Sequence, residues 1–392
     1  MGLPNPSSRI PRAMFAIALL LPLVTAWNLL APPNRSFKIG PKLIGVTQEL
    51  PLPYVSWAAI RDGSLQKASA ERITEAFAFR PMLIRVNNQI RYGLFGELDA
   101  PEVVRGARGQ LFGKYYIEEY CTRTAGMGER LAADILPKLR DIQAYYRARG
   151  GIFVYMTSPS KAAQVPEYFI DQMPCPSTPA ARAELLPAYV DALKAGGIDV
   201  LDAASLIHAA KPNYPFSLFP EGGEHWNDVG GALAATSLVE EINKQAGREI
   251  VPPFTFSYTL SSPASGADRE LADLLNVFFP PLNYLTPKVD YAQPVSCADS
   301  SARNLGIAIV GDSFSHLPGG ILIEHNCLAG LNVYYYGKTA RFGGVPYHIL
   351  KLGLDDADLA PLRDVKVLVL EENERFIGRS AFVNILRDVL KR

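Results

Sequence analysis

The 392-residue chain is poor in the residues that build several common kinds of site. It has four cysteines and no CxxC pair, which argues against a zinc ribbon, a thioredoxin-like redox motif or a disulfide-framed miniprotein. Its five histidines stand apart and no HExxH occurs, so the helical zinc-protease signature is missing. It lacks an excess of charge of either sign: 39 Lys+Arg stand against 39 Asp+Glu. An overall electrostatic grip on nucleic acid needs a basic excess or a basic face, so nucleic acid is not an expected partner. A hydrophobic share of 48% with 10% aromatic residues is likewise wrong for an acidic disordered chain and sufficient for a large buried core. Internal repeats and low-complexity tracts are absent as well.

Long apolar stretches are also missing, save one. Arg9 and Arg12 precede an uncharged run from Ala13 to Ala31. At about 1.5 Å per residue the run just crosses a hydrocarbon core of about 30 Å. The basic residues before it favour residues 1–12 on the cytoplasmic side and the remainder outside. Two readings stay open: a retained signal anchor over residues 13–31, or a signal peptide cut after Ala26, where Val24-Thr25-Ala26 is a weak small-x-small site. A buried core helix is the bland alternative. Both membrane readings put the bulk of the chain in an oxidising space, where disulfides persist. Pairs Cys297–Cys327 and Cys121–Cys175 are candidates, one of three possible connectivities.

Residues 32–65 form a Pro-rich linker and lead-in, and residues 66–392 a second, larger region. Within it, residues 66–95 carry apolar positions at helical spacing, and 106–120 suggest a turn followed by strand-like aromatic residues. From about residue 128 helices and strands alternate. Leu131 to Tyr145 makes a helix face, and Ile152 to Met156 a buried strand. A helix around Leu185 to Leu193 precedes a strand at 198–201, and a further helix covers Val229 to Ile242. Residues 246–300 suggest an irregular excursion. Apolar strands follow at 305–310 and 365–370. The alternation implies an α/β chain whose mainly parallel sheet is covered on both faces.

Two segments carry chemistry. Gly311-Asp312-Ser313-Phe314-Ser315 follows the apolar strand directly. That places Ser313 at the carboxyl end of a parallel sheet, where open α/β sheets form their crevices, and ahead of a helix whose N-terminal amides favour developing negative charge. A serine nucleophile in acyl transfer needs that setting. Glu224-His225-Trp226-Asn227 precedes the helix at Val229 and supplies a candidate general base. Each motif has a plainer reading: a serine after Gly-Asp is often only a helix cap, and a lone histidine often only a structural hydrogen-bonder. His316, three residues past Ser313, is an alternative base. Asp312 and Glu224 adjoin the two central residues and complete the candidate catalytic set.

The combination resembles the AlgJ/AlgX-type proteins, the SGNH-hydrolase-like O-acetyltransferases of exopolysaccharide biosynthesis. The matching residues are Phe79-Arg80-Pro81 with Asn87-Asn88, Gly109-Gln110-Leu111-Phe112, Pro159-Ser160-Lys161, His225-Trp226-Asn227, Gly311-Asp312-Ser313-Phe314 and Glu371-Glu372-Asn373-Glu374-Arg375. Histidine precedes serine, as in the circularly permuted branch. The resemblance implies a three-layer α/β/α domain in the periplasm that transfers acetyl to sugar hydroxyls through an acetyl-serine. It implies no cofactor or metal. It implies an exopolysaccharide substrate, a membrane-bound O-acyltransferase as acetyl donor, and other polysaccharide-synthesis proteins as partners.

The chain departs from that pattern at one position. The family commonly carries Asp two residues before the histidine, and here Gly223 stands in its place. Glu224 is badly aimed, because adjacent side chains of an extended segment point to opposite faces. Glu221, Asp228 or a backbone carbonyl are the remaining candidates to orient the imidazole. A slower dyad, a rebuilt triad and a non-catalytic polymer-binding or assembly subunit all stay open, as does a secreted esterase. Trp226 and Asn227 beside the base, with Lys338 and Arg341 near the Tyr334-Tyr335-Tyr336 run, are candidate substrate-binding residues. A capping role for Asn227 is the simpler reading.

Overall fold

The computed structural model describes residues 9–32, 35–45, 55–170, 173–292, 305–325, 328, 330–335, 339–342, 350–352, 354–379 and 381–391. The chain divides into two compact units. One is Met1–Pro101 with Ala272–Pro280, and the other is Glu102–Leu271 with Pro281–Arg392. The division differs from the sequence expectation. Residues 66–101 belong with the N-terminal unit, held there by polar contacts that hydropathy does not reveal.

The first unit is helical: α1 (Arg9–Leu30), α2 (Trp57–Arg61), α3 (Ser64–Ala76) and α4 (Arg80–Ile90), which runs on into a π turn, Arg91–Phe95. α1 takes in nearly all of the apolar run. Its side chains are described from Leu20 onward, and among the described residues no helix is long and apolar enough to cross a membrane. The Asn28 amide donates to the carbonyls of Phe37 and Ala76, at 2.7 and 2.8 Å, tying the end of α1 to its own lead-in and to α3.

The second unit opens with the short antiparallel pair β1 (Val103–Arg105) and β2 (Leu111–Gly113), then α5 (Lys114–Cys121) and α6 (Met127–Arg147). β3 (Ile152–Ser158), α7 (Lys161–Gln164), α8 (Pro179–Ala195), β4 (Val200–Asp202), α9 (Ala203–Ala210) and α10 (Asp228–Ala246) follow. β5 (Phe256–Ser261) and β6 (Thr286–Tyr291) pair antiparallel, and between them α11 spans Glu270–Leu274. Then come β7 (Ile307–Gly311), α12 (His316–His325), β8 (Leu331–Tyr335), β9 (Thr339–Phe342), β10 (Leu350–Leu352), α13 (Asp356–Leu359), β11 (Val367–Asn373) and α14 (Phe382–Lys391).

The central sheet has the order β10-β9-β8-β7-β11-β3-β4. β8, β7, β11, β3 and β4 run parallel, while β9 and β10 form an antiparallel edge. The parallel strands are apolar on both sides because helices cover both. Successive residues alternate between faces. Val154, Met156, Ile309 and Val369 pack toward α9, α10 and α12. Phe153, Tyr155, Val310 and Leu370 pack toward α6, α8 and α14. The three-layer α/β/α expectation is met.

Two sequence expectations fail. The aromatic residues after Gly113 are helical: Tyr116, Ile117, Tyr120 and Cys121 recur at three- and four-residue spacing and bury one face of α5 against the core. The segment 246–300 is not merely irregular, since it holds the β5–β6 hairpin and α11. Cys121 and Cys175 are disulfide-bonded, closing the end of α5 onto the approach to α8. Cys297 and Cys327 lie outside the described residues, as does Lys338.

Candidate active site

The Gly-Asp-Ser segment starts where β7 ends. Gly311 is required by close approach. A Cβ there would stand 2.4 Å from Glu371 Oε2, on the neighbouring strand β11. The chain then turns. The Asp312 side chain accepts from the Phe314 amide at 2.8 Å and its backbone N–H donates to Glu371 Oε2 at 2.8 Å. A short 3-10 turn, Ser313–Ser315, leads into α12. Asp312 is therefore a cap that shapes the turn, and it bonds neither Ser313 nor His225. Burial pushes the carboxyls of Asp312 and Glu371 up, and the pair shares a hydrogen bond between their side chains.

His225 arrives from the other side. His225 Nε2 lies 2.7 Å from Ser313 Oγ. The His225 ring rests on Phe314, with centroids 4.7 Å apart. Its Nδ1 meets Glu270 Oε1 at 2.5 Å, and the same oxygen accepts the backbone amides of Glu224 at 2.8 Å and His225 at 3.1 Å. Glu270, at the start of α11, is the orienting acid. A carboxylate on Nδ1 fixes the tautomer: Nδ1–H donates, and Nε2 is left to accept the serine proton. Burial pulls the imidazole pKa down, but the bond and charge of Glu270 outweigh it and the net shift is upward. Burial pushes Glu270 up, and His225 with the two amides brings it below the ordinary glutamate value.

The structure thus brings Ser313 and His225 together and turns Glu224 away. Glu224 is buried, accepts from the Gly113 amide at 2.5 Å, and faces Lys161. Trp226 is only 1% exposed, packed edge-on against Phe314, and serves as the floor of the site rather than a sugar platform. Asn227 caps α10, accepting from the Gly230 amide at 3.1 Å and donating to the Ser217 carbonyl at 2.8 Å. Arg341 lies on β9 with its side chain outside the description.

Glu270 escaped the sequence reading because 45 positions separate it from His225. The signal was present only as an acid-bearing turn, Gly266-Ala267-Asp268-Arg269-Glu270, in a segment without clear periodicity. The same turn explains Gly223. A Cβ at 223 would lie 2.7 Å from the Ala267 carbonyl and 2.8 Å from Pro220 Cγ. Gly223→Asp is accordingly expected to lower stability by about 1–3 kcal/mol through overpacking, without raising activity. Urea unfolding beside ester turnover checks both halves, and a faster enzyme would contradict the geometry.

The loop before His225 is held by a buried lysine. Lys161, at the start of α7, donates to the carbonyls of Leu111 (2.6 Å), Pro220 (2.7 Å), Glu221 (3.3 Å) and Gly223 (2.7 Å). Burial pulls its pKa down to about 8 against the opposing charges of Glu224, Glu270 and Glu221. Burial likewise pushes Glu224 up to about 8. Removing the ammonium strands four buried carbonyls and takes away the charge that opposes the burial of Glu224. Lys161→Met is expected to cost about 3–5 kcal/mol of stability, read by urea unfolding, with a slower enzyme as the His225 loop loosens. An unchanged unfolding midpoint would show that these bonds contribute nothing.

Ser313 and His225 open on a cleft of about 380 Å³. Its walls include Asp228, Asp268, Lys288 and His316, with the 265–268 turn along one side. Burial, with Asp228 adding, pushes Asp268 up to about 6. Among the described residues no group of three or more His, Cys, Asp or Glu is placed to hold a metal ion.

The sequence profile described as the SGNH hydrolase-like domain of the acetyltransferase AlgX matches residues 103–319, more than half of the chain. The chain belongs to this family. Solved structures give weaker likenesses. The O-acetyltransferase domain of Pseudomonas putida AlgJ is 19% identical over 73% of this chain and 98% of that one, with a TM-score of 0.46. Pseudomonas aeruginosa AlgX is 17% identical over 74% and 67%, with a TM-score of 0.44. Bacillus cereus PatB1 is 10% identical over 70% and 97%, at 0.42. No curated protein sequence matches the chain. Family membership assigns an SGNH-like acetyltransferase fold and, coarsely, acyl transfer.

Proposed function

We propose that the chain is a membrane-anchored, periplasm-facing O-acetyltransferase that places acetyl groups on hydroxyls of an exopolysaccharide through an acetyl-Ser313 intermediate. The observation that carries this reading is the Ser313–His225–Glu270 relay at the mouth of an open cleft. His225 Nε2 takes the hydroxyl proton as Ser313 Oγ attacks the donor's acetyl carbonyl. The resulting oxyanion faces the Ser313 amide at the turn into α12. Collapse returns the proton from His225 to the departing donor group. In the second half a sugar hydroxyl gives its proton to His225 and attacks the acetyl-serine, and Ser313 leaves with that proton.

The acetyl donor is handed on by a membrane-bound O-acyltransferase, alongside other proteins of polysaccharide synthesis. The uncharged Ala13–Ala31 run behind Arg9 and Arg12 supports the anchor and its orientation. The Cys121–Cys175 bond fits an oxidising compartment. Gly223 motivates the alternative of a non-catalytic binding subunit, and the Glu270 carboxylate on His225 Nδ1 supports the catalytic reading over it.

The test is covalent trapping with the full chain. After brief exposure to a chromogenic acetyl ester, mass spectrometry is expected to find one added acetyl on the peptide containing Ser313, and added exopolysaccharide to remove it with acetyl appearing on sugar oxygen. Acetyl on no peptide despite turnover would overturn the mechanism. Release only as acetate would make the protein an esterase.

A further inference from the structure

A helix on the surface of a water-exposed domain turns its apolar side inward. α4 does the reverse. Its buried positions are Pro81, Arg85 and Asn88. The Arg85 guanidinium donates to the carbonyls of Lys42 (2.8 Å) and Val277 (2.9 Å), and the Asn88 amide to the Leu275 carbonyl (2.9 Å). Gln89 Oε1 accepts from the amides of Phe278 and Phe279, both at 3.0 Å. All these partners belong to the same compact unit. The polar face of the helix is thus its structural face, fully committed to backbone groups.

The opposite face is apolar and open. Met82, Leu83, Val86 and Ile90 on α4, and Leu94 on the π turn, recur at three or four residues, and their exposure runs from 38% at Met82 to 76% at Leu94. Phe95 extends the stripe at 68%. No acidic residue occurs between 80 and 95. The flanking cations are neutralised locally. Arg80 pairs with Glu75 at 2.7 Å, and Arg91 with Glu97 and Asp99 at 3.0 and 3.1 Å.

We propose that this stripe lies in the headgroup–acyl boundary of a lipid bilayer, with α4 parallel to the membrane plane. The inference rests on the reading of Ala13–Ala31 as an anchor, because that run belongs to the same unit. Apolar exposure is concentrated there. α1 leaves Leu20, Leu23, Trp27 and Leu30 open, and Trp57 is 84% exposed. Among the described residues the larger second unit adds only Tyr115, Tyr258, Leu260 and Leu285 to the exposed large apolar side chains. Tryptophan is the residue that membrane interfaces favour. Residues 80–95 at about 1.5 Å each span roughly 24 Å, short of the roughly 30 Å needed to cross and suited to lying in the plane. Local neutralisation makes the attachment one of apolar area, indifferent to lipid charge.

The test uses the full-length protein in phosphatidylethanolamine/phosphatidylglycerol vesicles that carry a diazirine on the acyl chain. After photolysis, mapped peptides are expected to show label within 82–95 as well as within 13–31, unchanged by high salt. Leu83→Glu with Ile90→Glu is expected to cut the label in 82–95 by about tenfold or more, while leaving label in 13–31 and turnover of a soluble acetyl ester intact. Label confined to 13–31 in the parent protein would overturn the proposal and leave the anchor standing. Label in neither segment would overturn both. Ester turnover reports on Ser313 separately, so failure of the lipid contact and failure of the acyl chemistry are told apart.

Discussion

Glu270→Gln is expected to slow acetyl-ester turnover by about 10³- to 10⁴-fold, the scale seen when an orienting acid of a serine triad becomes its amide. The change keeps the shape and removes the charge. The carboxylate fixes Nδ1–H and stabilises the imidazolium formed when His225 takes the serine proton; the amide, whose NH₂ competes for Nδ1, does neither well. The pH profile gives a second reading. Only neutral His225 is a base, so turnover climbs as pH rises through its pKa. Burial pulls that pKa down but Glu270 raises it further, so the parent's acid limb lies above the ordinary histidine value of about 6.5. Without Glu270 the strongest raising partner is gone, with Glu224 and Asp312 remaining, and the limb moves to lower pH. Steady-state rates across pH check both statements. Parent-like turnover in the amide variant would remove Glu270 from the relay.

Ser313→Ala is expected to be more severe, on the order of 10⁶ in turnover by analogy with the loss of a serine nucleophile elsewhere. Its diagnostic value lies in combination. Residues that act as one unit are not additive, so Ser313→Ala/Glu270→Gln should be hardly slower than Ser313→Ala alone. Ser313 is partly exposed and its hydroxyl bonds only to His225 among the contacts described, so the alanine protein is expected to fold and to melt like its parent. Multiplying losses in the double variant would mean that the glutamate acts through some other group.

The legible parts of this molecule were those written in local pattern. Strands β3, β7 and β11 are apolar on consecutive residues because helices cover both faces, and the Gly-Asp-Ser turn follows directly from a strand end. His225 was legible because it sits at the entry to a periodic helix. Glu270 was not, because no spacing rule connects a turn in a Pro/Ser-rich stretch to an imidazole 45 positions earlier. Lys161 was legible as part of the Pro159-Ser160-Lys161 element after β3, but its role was not, because nothing in its local sequence shows the four carbonyls that surround it. The helical state of Tyr115–Tyr120 was hidden by aromatic residues that favour strands locally and helices only when packed every fourth position.

The turn that supplies Glu270 also forms a side of the cleft, through Ser265, Gly266, Ala267 and Asp268. A wall of the cleft and the carboxylate that aims the imidazole therefore share one short stretch of backbone. On the proposed acyl transfer, a bulky acceptor that presses on this rim shifts the very peptide that aims the imidazole. Under that proposal, remodelling the rim to admit a different acceptor would retune His225 in the same stroke and couple acceptor range to rate.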